Sequence, residues 1–268
     1  MNIIDFTKGV GYKVIRFPDG EVHLQLDELN RKEEVGIVMR IRNAEDLFLL
    51  MQLSDILHRQ EIVVDYLHIP YLMSMRCDRV FSFDRPFTLK IVTDVINGVG
   101  AKRVSIYEPH SNRSVKLTYA EEIQISRKMG FAYKGISTIC FPDKGAQERY
   151  NLFNGGNNLV CEKVRDVDTG ELKEFRVINP EVFNDGEITV LDDLCDGGGT
   201  FIGLAPKLRE LNPTKLRLVV THAVQLNGIR RVAEVYDEVV ITNTYKSWGC
   251  FVLPNNVIVK DVLNDYLQ

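Results

Sequence analysis

The stretch ITVLDDLCDGGGTF, residues 188–201, carries the strongest fold signal in this sequence. An apolar run leads into two carboxylates, Asp192 and Asp193, three glycines follow, and an apolar helical pattern resumes at Phe201. This order predicts a strand, a loop and a helix. Glycines can turn successive N–H groups inward, and a helix N-terminus behind them favours an anion. The stretch therefore predicts a phosphate-binding loop.

The polar residues around the glycines add to this prediction. We expect Asp192 and Asp193 at the carboxyl end of their strand, where ligands bind in open α/β sheets. Neighbouring residues of a strand point to opposite faces, so one acid could face a sugar hydroxyl or a metal while the other supports the loop. Thr200 is expected to cap the helix. A lone glycine-rich turn is usually an ordinary connection, but the preceding acids favour the functional interpretation.

The composition is that of an ordinary globular protein of 268 residues, with 45% hydrophobic and 26% charged residues. A net charge of -4 argues against nucleic-acid binding, which depends on basic residues. The N-terminus lacks the pattern of a signal peptide, and no apolar run is long enough to span a bilayer. We therefore expect a cytoplasmic protein with neither a nucleic-acid nor a membrane partner.

The five cysteines are scattered and form no CxxC pair. We expect them to be reduced and mostly buried. Cys195 lies inside the predicted phosphate loop, but no base stands beside it in the sequence, which argues against a nucleophilic role.

Apolar periodicity predicts alternating strands and helices in both halves of the chain. A Pro-Asp-Gly turn separates two short strands within residues 14–26. The further strands are predicted at residues 35–42, 63–71, 103–107, 135–141, 160–167, 216–220 and 238–242, and the helices at 44–59, 88–97 and 201–211. In the first helix we expect inward side chains at Leu47, Leu50, Met51, Ile56 and Leu57. A faint repeat of helix, turn, lysine, strand and histidine, ending at His110 and at His222, suggests one unit used twice.

Several polar segments follow predicted strands. Arg76, Arg79 and Arg85 share one loop, and their guanidinium groups could match polyphosphate oxygens, although such loops usually just face solvent. His110 and Asp143 also follow strands. A histidine after a strand is more often a loop residue without a functional role. The neighbouring arginine loop nevertheless favours a functional role for His110. Asp143 is placed to meet a metal or a ribose.

A highly charged stretch begins near Lys163 and Arg165. It predicts a hairpin arm on which alternate residues share a face, so both cations could reach one ligand. A solvated loop is an equally good interpretation of this stretch by itself.

Taken in order, these motifs resemble those of the ribose-phosphate pyrophosphokinases, and the loop at 188–201 also resembles that of the type I phosphoribosyltransferases. The segments that match the family's motifs are 17–21, 70–71, 76–79, 86–90, 108–110, 142–145, 163–165, 192–200, 221–223 and 242–244. The resemblance implies two tandem phosphoribosyltransferase-like domains with doubly wound, mainly parallel sheets. We place them at residues 1–125, on the ATP and metal side, and 126–268, with the sugar-phosphate loop and the arm.

The resemblance also implies an activity, namely transfer of the β,γ-diphosphate of ATP to the anomeric 1-hydroxyl of ribose 5-phosphate, in a homodimer or a higher homo-oligomer. The roles that it implies are ATP binding by Phe17, Asp19, Glu21, Arg76, Asp78 and Arg79, Mg²⁺ binding by His110 and Asp143, catalysis by Lys163 and Arg165, and sugar-phosphate binding by Asp192, Asp193, Asp196, Gly197, Gly198, Gly199 and Thr200. In the family the hairpin residues Phe17, Asp19 and Glu21 serve the adenine of a neighbouring subunit.

The chain departs from the family at several positions. Cys77 replaces a glutamine, Glu108-Pro109 replaces Asp-Leu, and Gly197 replaces a threonine, which opens space beside the 5-phosphate. ADP-ribose, the acceptor of related phage ADP-ribose pyrophosphate synthetases that serve NAD salvage, is therefore an alternative substrate. A phosphoribosyltransferase and an inactive regulatory paralogue are two further alternatives. The presence of Lys163, Arg165, His110 and Asp143 argues against the inactive one. Allosteric control is left open.

Overall fold

The computed structural model describes residues 1–150, 158–165 and 172–263 of the chain. The chain divides into two compact units, Met1–Ile123 and Gln124–Gln268. The sequence places the domain boundary after residue 125, close to this division. Each unit has its own parallel sheet with helices packed on it.

The first unit is built on a five-stranded sheet in the order β1-β4-β5-β6-β7, in which every neighbouring pair is parallel. Its strands are β1 Asn2–Asp5, β4 Val35–Val38, β5 Val64–Ile69, β6 Arg103–Tyr107 and β7 Glu121–Ile123. Its helices are α1 Ala44–Arg59, α2 Thr88–Gly98 and α3 Asn112–Thr118. Parallel strands need crossover connections, which the helices supply.

Helix α1 shows how the core of this unit is formed. Leu49, Leu50, Leu53 and Leu57 are buried and follow the spacing of one helical face. Met51 was predicted to face inward, but it is 49% exposed, so that prediction is wrong. Met51 follows Leu50 directly, and successive residues of an α-helix are rotated by about 100°. Its side chain is therefore turned away from the buried face.

The Pro-Asp-Gly turn closes an antiparallel hairpin, as predicted from the sequence. Its strands are β2 Tyr12–Arg16 and β3 Val22–Leu26. Gly20 has a φ of +92°, which a residue without a Cβ atom adopts readily. The hairpin packs against α1, where Arg16 forms a bidentate ion pair with Glu45.

The second unit has a seven-stranded sheet in the order β10-β9-β8-β11-β12-β13-β14. The strands are β8 Ser137–Phe141, β9 Leu159–Arg165, β10 Leu172–Val177, β11 Glu187–Cys195, β12 Lys215–Ala223, β13 Glu238–Thr242 and β14 Val257–Lys260. The helices are α4 Ile125–Phe131, α5 Lys144–Arg149, α6 Gly199–Arg209 and α7 Leu226–Ala233. Within the described part of this sheet, β9 and β10 pair antiparallel and the other neighbouring strands pair parallel.

Helices cover both faces of this sheet, so the unit is doubly wound as predicted. Phe201 and Leu204 of α6 and Val232 of α7 pack with the strand residues of one face. Ala146 of α5 and Tyr150, which follows it, pack on the other face. The central strands are buried on both sides, which accounts for their continuous apolar sequence.

Strands β9 and β10 form the hairpin arm that the sequence predicts, and Lys163 pairs with Phe175 across it. Residues 166–171, which separate the two strands in the sequence, lie outside the described residues. In the described part of the chain, no helix has both the length and the apolar character needed to cross a membrane.

Candidate active site

The predicted phosphate loop connects β11 to α6. Gly198 precedes the helix with a φ of +77°, a left-handed conformation that side chains with a Cβ atom rarely adopt. A Cβ atom there would also lie 2.7 Å from Cγ1 of Val232. At Gly197 and Gly199, by contrast, an added Cβ would have no atom of the described residues within 4 Å. The loop geometry therefore requires glycine at position 198, whereas open space lies beside Gly197 and Gly199.

The start of α6 differs from the prediction. Gly198 is the N-cap residue, and no side chain of the described residues supplies a capping hydrogen bond. Thr200, predicted as the cap, is the second residue of the helix, so this prediction is wrong. The glycine conformation lets the helix begin two residues earlier than the apolar pattern indicated, which brings Thr200 inside the first turn.

Helix α7 packs closely against the phosphate loop and supports it. An added Cβ at Gly228 would lie 2.1 Å from the carbonyl oxygen of Asp196, so helix and loop can approach this closely only because the residue is glycine. Gln225 Nε2 donates to Asp196 Oδ1 at 2.8 Å, and Arg231 Nη1 donates to the Gly197 carbonyl at 3.4 Å. This support by α7 was not predicted from the sequence. A glycine inside a helical pattern was the available signal, since it often marks a close approach.

The two acids lie within β11 and not after it, because the strand continues through Cys195 in register with β12. Asp193 is 1% exposed, and Asp192 is partly buried. Both carboxylates contact one guanidinium group: Arg149 Nη1 lies 3.2 Å from Asp192 Oδ1 and also donates to Asp193 Oδ1. Asp192 Oδ1 accepts the backbone N–H of Asp193 at 2.9 Å, which turns its carboxylate towards the neighbouring residue. The expectation that the two acids act on opposite faces therefore does not describe their contacts.

Burial controls the electrostatics of this group. Removal from water raises the pKa of Asp192, and the neighbouring Asp193 carboxylate adds to the rise, while Arg149 opposes it. Burial also disfavours the charge on Arg149, but the carboxylates hold its pKa above the ordinary value. Cys195 is 1% exposed, and burial raises the pKa of its thiol to about 12. Its thiolate is therefore scarce at neutral pH, which agrees with the argument against a nucleophilic role.

Asp143 and Lys163 come together at the carboxyl end of β8. Asp143 is the N-cap of α5, and its Oδ1 accepts the Ala146 N–H at 3.0 Å. Lys163 Nζ on β9 lies 3.3 Å from Asp143 Oδ2. Arg165 is the last residue of β9, and its side chain is outside what the structure describes. One cation and one carboxylate of the predicted set are therefore in contact.

In the first unit, Phe17, Asp19 and Glu21 lie on the exposed end of the β2–β3 hairpin. The Phe17 ring makes an edge contact with His23, with centroids 5.0 Å apart, and Asp19 Oδ1 accepts the Glu21 N–H at 3.0 Å. The residues predicted to bind adenine are therefore accessible on the surface of the first unit.

The arginine loop follows β5, and His110 follows the neighbouring parallel strand β6. Arg113 on α3 joins the two segments, since its Nη1 donates to the Asp78 carbonyl at 3.0 Å. Arg76 and Arg79 are exposed, Arg79 Nε lies 3.4 Å from Asp78 Oδ1, and His110 is half-buried. The predicted ATP residues of this loop therefore lie at the same sheet edge as His110.

The histidine and threonine motifs of the second unit have structural roles. His222 lies inside β12, fully buried, and its Nδ1 is 2.9 Å from Thr244 Oγ1. Thr242 and Thr244 each donate to the Thr221 carbonyl, at 2.7 and 3.0 Å. These bonds fasten the ends of β12 and β13 together. His222 was expected after the strand, whereas the pairing of β12 with β11 extends beyond it.

No group of three or more His, Cys, Asp or Glu side chains is arranged for a metal ion among the residues that the structure describes. Asp143 presents a carboxylate that is 41% exposed. Mg²⁺ is usually bound through one or two carboxylates together with substrate phosphates and water. The donor at Asp143 fits that mode of binding.

The chain has two α/β units, each with a mainly parallel sheet, as expected for tandem phosphoribosyltransferase-like domains. The fold matches the crystal structure of phosphoribosylpyrophosphate synthetase from Mycobacterium smegmatis, with a TM-score of 0.78 and 18% sequence identity, over 98% of this chain and 95% of that one. This likeness shows the fold. The chain matches no protein-family model.

Proteins of similar sequence give more specific information than the fold does. The chain is 27% identical to a ribose-phosphate pyrophosphokinase of Sulfurisphaera tokodaii, over 92% of this chain and 87% of the relative. It is 29% identical to the one of Campylobacter jejuni, over 86% and 78% of the two chains. For Thermococcus kodakarensis the identity is 25%, over 90% and 89%. The chain is a divergent relative of the ribose-phosphate pyrophosphokinases, as its motifs indicated.

Proposed function

We propose that the protein is an ATP-dependent pyrophosphokinase that transfers the β,γ-diphosphate of ATP to the 1-hydroxyl of ribose 5-phosphate. The new bond joins the sugar oxygen O1 to the β-phosphorus, and the bond between that phosphorus and the α,β-bridging oxygen breaks. The products are phosphoribosyl diphosphate and AMP, and the proton of the hydroxyl is released. Relatives that match most of the chain carry the name ribose-phosphate pyrophosphokinase.

The observation that carries the proposal is the contact between Lys163 and Asp143 beside the strand that bears the sugar-site acids. Strands β9, β8 and β11 are neighbours in one sheet, so a lysine, a carboxylate and the Asp192–Asp193 pair come from adjacent strands. Phosphoryl transfer depends on charge neutralisation and in-line placement, and these residue types supply both. In the proposal, Lys163 and Arg165 neutralise the transferring diphosphate.

The sugar side of the proposal uses the loop between β11 and α6. The N–H groups of the segment from Asp196 to Thr200 would bind the 5-phosphate, because the left-handed Gly198 turns the backbone ahead of the helix N-terminus. Asp192 and Asp193 would accept hydrogen bonds from the ribose hydroxyls. These roles remain predictions for mutagenesis.

The nucleotide side uses the first unit. Phe17, Asp19 and Glu21 would bind adenine, and Arg76, Asp78 and Arg79 would bind the remaining part of ATP. Mg²⁺ would be held by Asp143 and His110 and would neutralise phosphate charge when bound. A homo-oligomeric assembly and a cytoplasmic location likewise remain predictions from the sequence.

The direct test incubates the protein with ATP and Mg²⁺, with and without ribose 5-phosphate, and follows AMP by chromatography. Acceptor-dependent AMP together with phosphoribosyl diphosphate is expected, and EDTA should abolish it. AMP formation that ignores the acceptor would contradict the proposal. ATP binding in the absence of a nucleobase distinguishes it from a phosphoribosyltransferase, and any turnover rules out an inactive paralogue.

ADP-ribose is a second candidate acceptor because of one specific observation. An added Cβ at Gly197 would meet no atom of the described residues within 4 Å, so a longer 5′ substituent finds space there. The same assay with ADP-ribose tests this candidate. Gly197→Thr should fold normally, since a side chain has room. It should lower activity with ADP-ribose and leave activity with ribose 5-phosphate largely intact.

A further inference from the structure

Arg149 ends helix α5 and is only 12% exposed at its side chain. The same Nη1 atom contacts the carboxylates of Asp192 and Asp193, which belong to β11. The guanidinium therefore joins a helix that begins at Asp143 to the strand that leads into the phosphate loop. None of the motifs quoted from the sequence includes Arg149.

The charges of this group depend on one another. The Asp193 side chain is 2% exposed and that of Asp192 is 15% exposed, and adjacent buried carboxylates each favour protonation of the other. Arg149 supplies an opposite charge beside both carboxylates, which opposes this effect. Asp192 Oδ1 is held twice, by Arg149 and by the Asp193 N–H, which restricts rotation of its carboxylate.

A sugar with vicinal hydroxyls requires acceptors that are both charged and fixed, because hydrogen bonds to ionised acceptors are the stronger ones. A protonated acid would offer a donor where the sugar hydroxyl needs an acceptor. A freely rotating carboxylate would have to be ordered when the sugar binds, and the entropy cost of that ordering would lower the affinity. Arg149 opposes both outcomes, because its guanidinium group contacts both carboxylates.

We propose that Arg149 is a positioning residue for the sugar acceptor, orienting Asp192 and Asp193 towards the ribose hydroxyls and supplying the charge opposite to theirs. The inference rests on the proposed function, and it goes beyond that function by assigning a role to a residue that touches neither substrate. A purely structural ion pair between α5 and β11 is the opposing explanation.

The chain contains a matched control for this question. Arg217 on β12 is 6% exposed at its side chain and also bridges two carboxylates, Glu187 at 3.0 Å and Glu238 at 2.5 Å. Both acids stand at the amino ends of their strands, at the opposite edge of the same sheet from the phosphate loop. Removing either arginine leaves two carboxylates without a shared cation, but only one pair lies beside the proposed sugar site.

The experiment compares Arg149→Gln, Arg149→Lys and Arg217→Gln in the full chain. Melting temperature reports stability, and steady-state assays at saturating ATP give kcat and KM for ribose 5-phosphate. Both glutamine variants should lose stability. Only Arg149→Gln should raise KM, by about tenfold or more with a smaller change in kcat, as expected for loss of charge-assisted hydrogen bonds to the sugar. Arg149→Lys should recover part of the loss. Equal KM values in Arg149→Gln and Arg217→Gln would overturn the inference.

Calorimetric binding of ribose 5-phosphate, without ATP, separates this inference from the proposed function. If the wild-type protein binds the sugar phosphate but releases no acceptor-dependent AMP, the proposed function fails while the role of Arg149 is still testable by binding. Equal affinities of the wild-type protein and Arg149→Gln for ribose 5-phosphate would overturn the inference about Arg149. If Arg149→Gln does not fold, Arg149→Lys decides, because an ammonium lacks the planar guanidinium geometry. Its KM should rise about threefold or more, and a wild-type KM would overturn the inference.

Discussion

Lys163 on β9 and Asp143, which follows the neighbouring strand β8 and caps α5, have their Nζ and Oδ2 atoms 3.3 Å apart. The lysine is 27% exposed and the carboxylate 41% exposed, so both remain accessible to a ligand. A pair of this kind contributes little to stability, about 0–1 kcal/mol for an exposed pair. Its position at the proposed transfer site therefore matters more than its strength.

We expect Lys163→Met to lower kcat for AMP release by about 100-fold or more, as for loss of one preorganised charge at a transition state. KM for ribose 5-phosphate should change little, because the ammonium faces the diphosphate and not the sugar. Steady-state kinetics measures both constants. Lys207→Met, which removes an exposed lysine paired with Glu210 on α6, is the control. A kcat of Lys163→Met within threefold of the control would argue against the catalytic role.

The glycine triplet should respond unequally to alanine. Gly198→Ala should cost about 1–3 kcal/mol of unfolding free energy, since its Cβ would meet Val232 and its φ is +77°. Gly197→Ala should change stability by less than about 0.5 kcal/mol, because a Cβ has room among the described residues. Urea denaturation of both variants gives the comparison. Equal losses would show that the loop geometry differs from the one described.

The cysteines should differ in their reaction with iodoacetamide. A pKa raised to about 12 keeps Cys195 protonated at pH 8, and its burial blocks the reagent. Cys77 and Cys250 are exposed and should be alkylated first. Peptide mass spectrometry after brief labelling measures each site. Cys195 should react only after unfolding in urea, and labelling at the rate of Cys77 in the native protein would contradict its placement.

The Thr244 hydroxyl should stabilise the second unit. It donates to the Thr221 carbonyl and contacts Nδ1 of His222, both buried. Thr244→Val keeps the shape and removes these two bonds together with the one accepted from the Thr242 hydroxyl, so it should lower the unfolding free energy by about 1–3 kcal/mol. Thr244→Ser keeps a hydroxyl and should lose less. Denaturant titrations test this order, and a valine variant as stable as wild type would show that the network carries no stability.

The periodic elements were predictable from the sequence because their signals are local. The predicted bounds of α1 and β6 agree with the structure, since an apolar stripe and a short buried run define them. The end of β11 was misjudged. Cys195 was predicted inside the phosphate loop, but pairing with β12 carries the strand past the two acids and through this residue.

The part of the site that was not predicted from the sequence depends on tertiary contacts. Arg149 could not be linked to Asp192 from a single sequence, because the contact joins residues 43 positions apart. The same limit applies to Gly228 behind Asp196. Residue type and motif order indicated which chemistry to expect, whereas the partners that hold those residues depend on packing between distant segments.

The glycine contact between α7 and the phosphate loop sets how acceptor range can be engineered. Loop and helix must shift together, because the Asp196 carbonyl rests where a side chain at Gly228 would be. A library that randomises Gly198 or Gly228 would therefore mostly sample misfolded proteins. Diversity introduced at Gly197 and Gly199 would reshape the pocket wall on an intact scaffold.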